Sequence, residues 1–233
     1  MVKSNKLLHQ KIRATDSVEE KIKCLTNRWN DETCYIITCG PSLKQVWSQK
    51  MHEFLSNKNV IAVKQAARLV GDIASIHLVN QCNMEAYSLP KETIKISMIH
   101  KDFECGYEAD IVFPRKYLDL SGQIFNGKNI ADYMFGKTLN RPSPGIMTEV
   151  GMFLPLLMGC SKSVVIGWDL NPKNKRHFYS SKPPNQIDEY QKLIKLSPSI
   201  AQMYMDCGSK ICLYSPLNAL KIRQIDEKEF YEG

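Results

Sequence analysis

Several familiar signatures are missing from this chain of 233 residues, and each absence removes a class. Its eight cysteines are Cys24, Cys34, Cys39, Cys82, Cys105, Cys160, Cys207 and Cys212, and none forms a C-x-x-C pair. Zinc ribbons and dithiol redox motifs are therefore not expected. No run of about 18 apolar residues occurs, so the sequence predicts no transmembrane segment. The opening residues, Met-Val-Lys-Ser-Asn-Lys-Leu-Leu-His-Gln-Lys, lack the apolar stretch of a signal peptide. There is no internal repeat and no low-complexity tract. Hydrophobic residues make up 43% and charged residues 24%, an ordinary globular balance that argues against disorder. Cysteines inside apolar runs, such as Cys34 beside Tyr35-Ile36-Ile37 and Cys212 between Ile211 and Leu213, pack as small hydrophobes. They imply reduced thiols and a cytoplasmic protein.

What is present is a moderate excess of positive charge and a regular alternation of elements. The net charge is +7. It favours anionic partners, whether nucleotides, phosphorylated acceptors, nucleic acid or an acidic membrane surface, and does not choose among them. Residues 1–30 are polar and read as an N-terminal extension, with a helix expected over Val18–Trp29. Residues 31–233 read as one domain. Strands are expected at Cys34–Cys39, Asn59–Val63, Ile73–Val79, Ile94–Met98, Ala109–Phe113, Val164–Ile166 and Lys210–Tyr214. Between them lie an amphipathic stretch from Leu43 to Leu55, an apolar helix from Met147 to Met158, a helical pattern from Ile187 to Met205 interrupted by Pro198, and a closing helix from Asn218 to Ile225. Strands alternating with helices predict an α/β fold, a mostly parallel sheet with helices on both faces. Such sheets bind ligands beyond the carboxyl ends of their strands.

Four segments stand at those ends. In Cys34-Tyr-Ile-Ile-Thr-Cys-Gly-Pro-Ser-Leu-Lys44, a strand meets a tight turn and a helix start. Pro41 and Ser42 suit the first helical positions, and Gly40 permits close backbone approach. Free amides and the helix dipole would suit a phosphate, although an ordinary strand-to-helix turn has the same residues. Asn140-Arg141-Pro142-Ser143-Pro144-Gly145-Ile146-Met147 is a second loop-to-helix entry, and Arg141 offers a planar fork for phosphate. Val164-Val-Ile-Gly-Trp-Asp169 ends a strand on a carboxylate, which suits either a ligand contact or a turn-forming cap. Lys173-Asn-Lys-Arg-His177-Phe-Tyr179 places cations and aromatics in the long loop Asn171–Gln186. That loop reads as a solvated basic segment or as a cover over a nucleotide phosphate, with Tyr179 donating a hydrogen bond and His177 moving a proton. Lys64 and Asn80 each follow a strand.

Taken in order, these segments resemble the bacterial sialyltransferase family that uses CMP-linked donors. The resemblance rests on Gly-Pro-Ser-Leu-Lys after the first strand, Val-Lys-Gln after the second and Leu-Val-Asn after the third. It continues through Arg141-Pro-Ser-Pro-Gly145, Ile-Gly-Trp-Asp169 and a final Leu-Tyr-Ser-Pro-Leu-Asn218, covering roughly residues 33 to 222. It implies a single Rossmann-like domain and inverting, metal-independent glycosyl transfer, with no cofactor beyond the nucleotide-sugar donor. It also implies nucleotide contacts at Cys39, Gly40, Pro41, Ser42, Lys64, Gln65, Asn80, Arg141, Ser143, Pro144, Gly145 and Tyr179. The chain departs from the family pattern at Thr38, Cys39, Lys64 and Pro144, and Pro183 to Leu196 lacks the family's histidine. Three residues are therefore candidates for the general base: His177 first, then Asp169 and Asp188. The added cation at Lys64 would suit a diphosphate-linked sugar. The same framework resembles the hydroxymethylpterin pyrophosphokinase-like group, but Val79-Asn-Gln-Cys-Asn carries no metal-binding carboxylates. The sequence thus predicts a glycosyltransferase acting on a glycan or on a hydroxylated base in DNA. A phosphotransferase and a nucleotide-binding module without catalysis are the alternatives, and the oligomeric state is open.

Overall fold

All seven apolar runs become strands. The computed structural model describes residues 2–80, 87–99, 108–114, 146–171, 173, 177–180 and 187–232. The strands are β1 (Thr33–Ile37), β2 (Asn59–Val63), β3 (Ile76–Asn80), β4 (Ile94–Ile99), β5 (Ile111–Pro114), β6 (Lys162–Ile166) and β7 (Lys210–Tyr214). They form one sheet in the order β5-β4-β3-β2-β1-β6-β7, and every pairing is parallel. In register, Tyr35 of β1 lies between Val60 of β2 and Val164 of β6.

The sheet is buried on both faces, which is why its strands read as continuous apolar runs rather than alternating ones. Successive side chains point to opposite faces, and the core divides accordingly. Cys34, Ile36, Ile61, Val63, Val165, Ile211 and Leu213 face one cluster. Tyr35, Ile37, Val60, Ala62, Val164, Ile166 and Cys212 face the other. Helices α1 (Val2–Arg13) and α2 (Val18–Lys23) pack on the first face through Leu8, Ile12 and Ile22. Helix α3 (Leu43–Val46), α4 (Gln49–Leu55) and α5 (Ala67–Val70) pack on the second through Leu43, Met51, Leu55 and Val70. The result is a single Rossmann-like α/β sheet with helices on both faces.

Residues 2–30 therefore share the core of the sheet. The helix expected over Val18–Trp29 ends at Lys23, with turns following it, so this segment holds two helices. Asp110, which opens β5, fastens them: its carboxylate meets His9 Nε2 at 3.1 Å, and its carbonyl accepts from Lys21 Nζ at 3.0 Å.

Elsewhere the helices depart from sequence expectation. The stretch Leu43–Leu55 is two helices, because Trp47 and Ser48 adopt extended backbone and the Ser48 hydroxyl caps α4 by accepting from the Met51 amide. Met147–Met158 is a π-helical turn, Met147–Gly151, followed by α6 (Leu154–Leu157). The helical pattern that Pro198 should interrupt is one helix, α7 (Ile187–Asp206). Proline removes the N–H that would bond the Ile194 carbonyl. The Ser197 hydroxyl replaces it, donating to that carbonyl at 2.7 Å and accepting from the Lys221 amide at 2.7 Å.

The expected closing helix over Asn218–Ile225 does not form. Its backbone donors bond outward: the Ala219 amide to the Asp169 carbonyl, the Lys221 amide to Ser197, and the Ile225 amide to the Leu213 carbonyl. The last helix is instead α8 (Glu227–Glu232), whose Phe230 is buried against Tyr35. Among the described residues, no helix is long and apolar enough to cross a membrane.

Candidate functional site

In this strand order the chain reverses direction across the sheet at β1, which has β2 on one side and β6 on the other. The crevice outside the carboxyl ends of adjacent β1 and β6 is the place such sheets hold ligands. The Thr38–Ser42 turn and the Gly167–Leu170 segment meet there.

They are bonded tightly to each other. The Thr38 amide donates to the Ile166 carbonyl, and the Gly40 amide to the Gly167 carbonyl, each at 2.8 Å. A Cβ on Gly40 would overlap the Gly167 carbonyl oxygen and lie 2.5 Å from Asp169 Oδ2. Glycine is thus demanded by contact with the β6 loop. Gly167 takes the left-handed region at φ +75°, and its amide and that of Trp168 donate to the Ser215 hydroxyl at the end of β7.

Asp169 is 2% exposed. Its Oδ2 accepts from the Ser42 amide at 2.8 Å and its Oδ1 from the Ser42 hydroxyl at 2.5 Å. Burial raises its pKa, and the two Ser42 bonds oppose that rise. Ser42 itself is fully buried. The anion held at this turn is therefore the protein's own carboxylate. The amides of Thr38, Gly40, Ser42 and Leu43 are all bonded within the protein.

The cysteine of the turn is inward-facing. Cys39 Sγ donates to the Val63 carbonyl at 3.1 Å and lies 3.9 Å from Gln65 Oε1. Burial pushes its thiol up to about 11, while the charges of Lys64 and Arg68 pull the other way. The Cys39 carbonyl accepts from the Phe178 amide at 2.9 Å, which seats the His177–Tyr179 segment on the turn. His177 and Tyr179 stack at 5.0 Å between ring centres and 16° between planes. The guanidinium of Arg68 lies over the Tyr179 ring at 5.1 Å.

Next along the edge, Lys64 begins a 3₁₀ turn, Lys64–Ala66, with φ at +53°, the left-handed region that side chains disfavour. Its carbonyl lies 3.0 Å from Nε2 of His77, on β3. A carbonyl can only accept, so Nε2 carries the proton. His77 is fully buried, and that burial lowers its pKa to about 4, leaving the ring neutral. Neither His77 nor Arg68 stood out in the sequence. The signal for His77 was a polar residue in the middle of Ile76-His-Leu-Val79; Arg68, a surface cation on a short helix, had none.

The structure thus gathers Cys39, Gly40, Pro41, Ser42, Lys64, Gln65, Asp169, His177 and Tyr179 at one sheet edge. Asn80 ends β3 on the same edge. Asp188 is exposed on the first turn of α7. Arg141, Ser143, Pro144 and Gly145 lie outside the described residues, as do several positions of the 171–186 loop. Among the described residues, no three His, Cys, Asp or Glu side chains gather as a metal site.

Topology and site together define a doubly wound α/β protein with a switch-point crevice. Within that class the chain superposes on the structure of the MAf glycosyltransferase from Magnetospirillum magneticum AMB-1, with a TM-score of 0.54 and 11% identity. The match takes in 95% of this chain and 39% of that one, so the two share a fold over well under half of the larger protein. Two mammalian sialyltransferase structures match at 12% identity and a TM-score of 0.42, over 91% of this chain. No protein-family model and no curated protein matches in sequence.

Proposed function

We propose that this chain is a glycosyltransferase that takes a sugar from a nucleotide-sugar donor held at the carboxyl edge of β1 and β2. The observation that carries this reading is the docking of the His177–Tyr179 segment onto the Cys39 carbonyl, at the crevice where the strand order reverses. The shared fold with a glycosyltransferase structure supports it.

In the reaction, an acceptor oxygen bonds the anomeric carbon, the bond from that carbon to the phosphate oxygen breaks, and the nucleotide leaves. The acceptor proton must go to a base. Asp169 is poorly placed for this, with both carboxylate oxygens engaged by Ser42, and Asp188 is exposed on a helix. His177 is the base of this proposal, with Asp169 as a positioning residue that ties the β1 turn to β6. Charge developing on the leaving phosphate is met by the surrounding cations and Tyr179, with no resident metal or cofactor in the scheme.

A thermal-shift panel of CMP-, UDP- and GDP-sugars, with ATP and a pterin as controls, tests the donor class. Stabilisation by one nucleotide-sugar series, together with loss of turnover in His177→Ala and its retention in Asp188→Ala, is the expected pattern. Stabilisation by ATP and pterin alone would reject it. Salt-sensitive retention on duplex DNA would favour a nucleic-acid acceptor over a glycan.

A further inference from the structure

The short segment that carries His177 is held at two points. At the first, the Phe178 amide donates to the Cys39 carbonyl at 2.9 Å, and the Phe178 ring packs against the core of the second sheet face. At the second, the guanidinium of Arg68 lies over the ring of Tyr179, 5.1 Å from its centre. That ring also stacks on His177, with 16° between their planes, and meets Phe178 edge-on. Arg68 thus touches the ring against which the imidazole rests.

The local fold explains why Arg68 is there. Helix α5 follows β2 after a single 3₁₀ turn, and it buries Ala67 and Val70, which leaves Arg68 exposed. The contacts then close into a ring. Cys39 Sγ donates to the carbonyl of Val63, the last residue of β2, and the Cys39 carbonyl accepts from Phe178. Tyr179, next in the chain, meets Arg68 on the helix that follows Val63. The β1 turn, the end of β2 and the segment after β6 are joined in this way, and the Arg68–Tyr179 contact is the solvent-exposed link.

We infer that Arg68 is a positioning residue for His177: its cation–π contact fixes the Tyr179 ring, and the stacked imidazole is thereby held at the crevice in the orientation that receives the acceptor proton. The inference rests on the proposed glycosyl transfer with His177 as base. A guanidinium is drawn electrostatically to an aromatic face and also stacks on it through its own plane. At an exposed site that attraction is modest, so Arg68 tunes the seating of the segment, and the Phe178 bond and packing supply the rest.

Amide exchange at Phe178, read by NMR of isotope-labelled protein, reports the contact directly, because the Cys39 carbonyl protects that amide while the segment is seated. In Arg68→Gln, exchange there should quicken about two- to fivefold, the factor an exposed cation–π contact supplies, while amides of β1 and β2 keep their rates. Arg68→Lys retains a cation and should recover part of the protection. Tyr179→Leu should match Arg68→Gln, and adding Arg68→Gln to it should change little more. With CMP-, UDP- and GDP-sugars in turn, the saturated rate of donor hydrolysis should fall by about the same factor in Arg68→Gln, with donor affinity kept. An unchanged Phe178 exchange rate in Arg68→Gln would overturn the positioning role. So would a fall in donor affinity that leaves the saturated rate alone, since Arg68 would then be a direct donor contact. Failure of all three sugar series to bind would instead overturn the reading beneath and the role given to His177, and the exchange rates would still show whether Arg68 seats the segment.

Discussion

Gly40→Ala is the sharpest test of how the crevice is built. The new Cβ would lie 2.5 Å from Asp169 Oδ2 and closer still to the Gly167 carbonyl oxygen, whereas real Cβ atoms essentially never come within 3.0 Å of another atom. Neither neighbour can swing aside cheaply. The carbonyl is backbone, and the carboxylate is held by two bonds from Ser42. The β1 turn and β6 loop must therefore part, and the Gly40 amide loses its bond to Gly167. A neutral bond is worth about 1 kcal/mol and one to a buried charge about 1.5–3 kcal/mol. Losing the first and most of the second should cost about 2–4 kcal/mol in all, a large part of the roughly 5–15 kcal/mol by which domains are stable. Urea denaturation should show that loss, and the melting temperature should drop by about 10 °C at about 2–4 °C per kcal/mol. Ser42→Ala, which removes one bond without adding bulk, should cost less. A loss below about 1 kcal/mol in Gly40→Ala, within reach of an ordinary surface change, would refute the close contact.

Three further outcomes follow from geometry elsewhere. His77 titrates near 4 when folded and near 6.5 when unfolded, so the unfolded chain binds an extra proton between those values and stability falls as pH drops through that window. The full effect is about 3 kcal/mol; urea midpoints at pH 7 and pH 4.5 should show a larger loss for wild type than for His77→Gln, and equal losses would count against a buried neutral ring. Ser197→Ala strands the Ile194 carbonyl and the Lys221 amide and should cost about 2–4 kcal/mol. The cost should shrink in a Pro198→Ala background, where a restored N–H reaches Ile194; a double-mutant cycle with no coupling would contradict this. Cys39, buried and pushed up to about 11, should resist iodoacetamide at pH 8 in the native protein and react once it is unfolded. Peptide mapping of the alkylated protein reads Cys39 apart from the other thiols, and rapid native labelling at Cys39 would show that thiol is accessible.

The strands were legible because a sheet buried on both faces writes each strand as a short apolar run, and β2 and β7 fall on the expected residues. Connections were harder, since they are settled by partners far away in sequence. Asn218–Ile225 has a helical pattern, yet Asp169, Ser197 and Leu213 take its backbone donors. Pro198 signals a break only if nothing else serves Ile194, and Ser197 does. At the site, Asp169 stood out as a carboxylate ending a strand, but its occupation by Ser42, 127 positions away, cannot be seen locally. The turn looked suited to phosphate for the same reason. Its amides are well placed to hold an anion, and the chain supplies one.

The strand order also bears on how the chain folds. β1 to β5 follow one another in sequence and pair consecutively, so five of the seven strands can assemble from residues 33–114. Until residues 162–166 are available, β1 is an open edge of that partial sheet, with Tyr35, Ile36 and Ile37 along it. An unpaired apolar edge invites association with other chains. Docking of β6 closes that edge and, in the same step, brings Gly167 to Gly40 and Asp169 to Ser42. The crevice and protection against misassembly therefore arise together, and a chain ending before β6 would have neither.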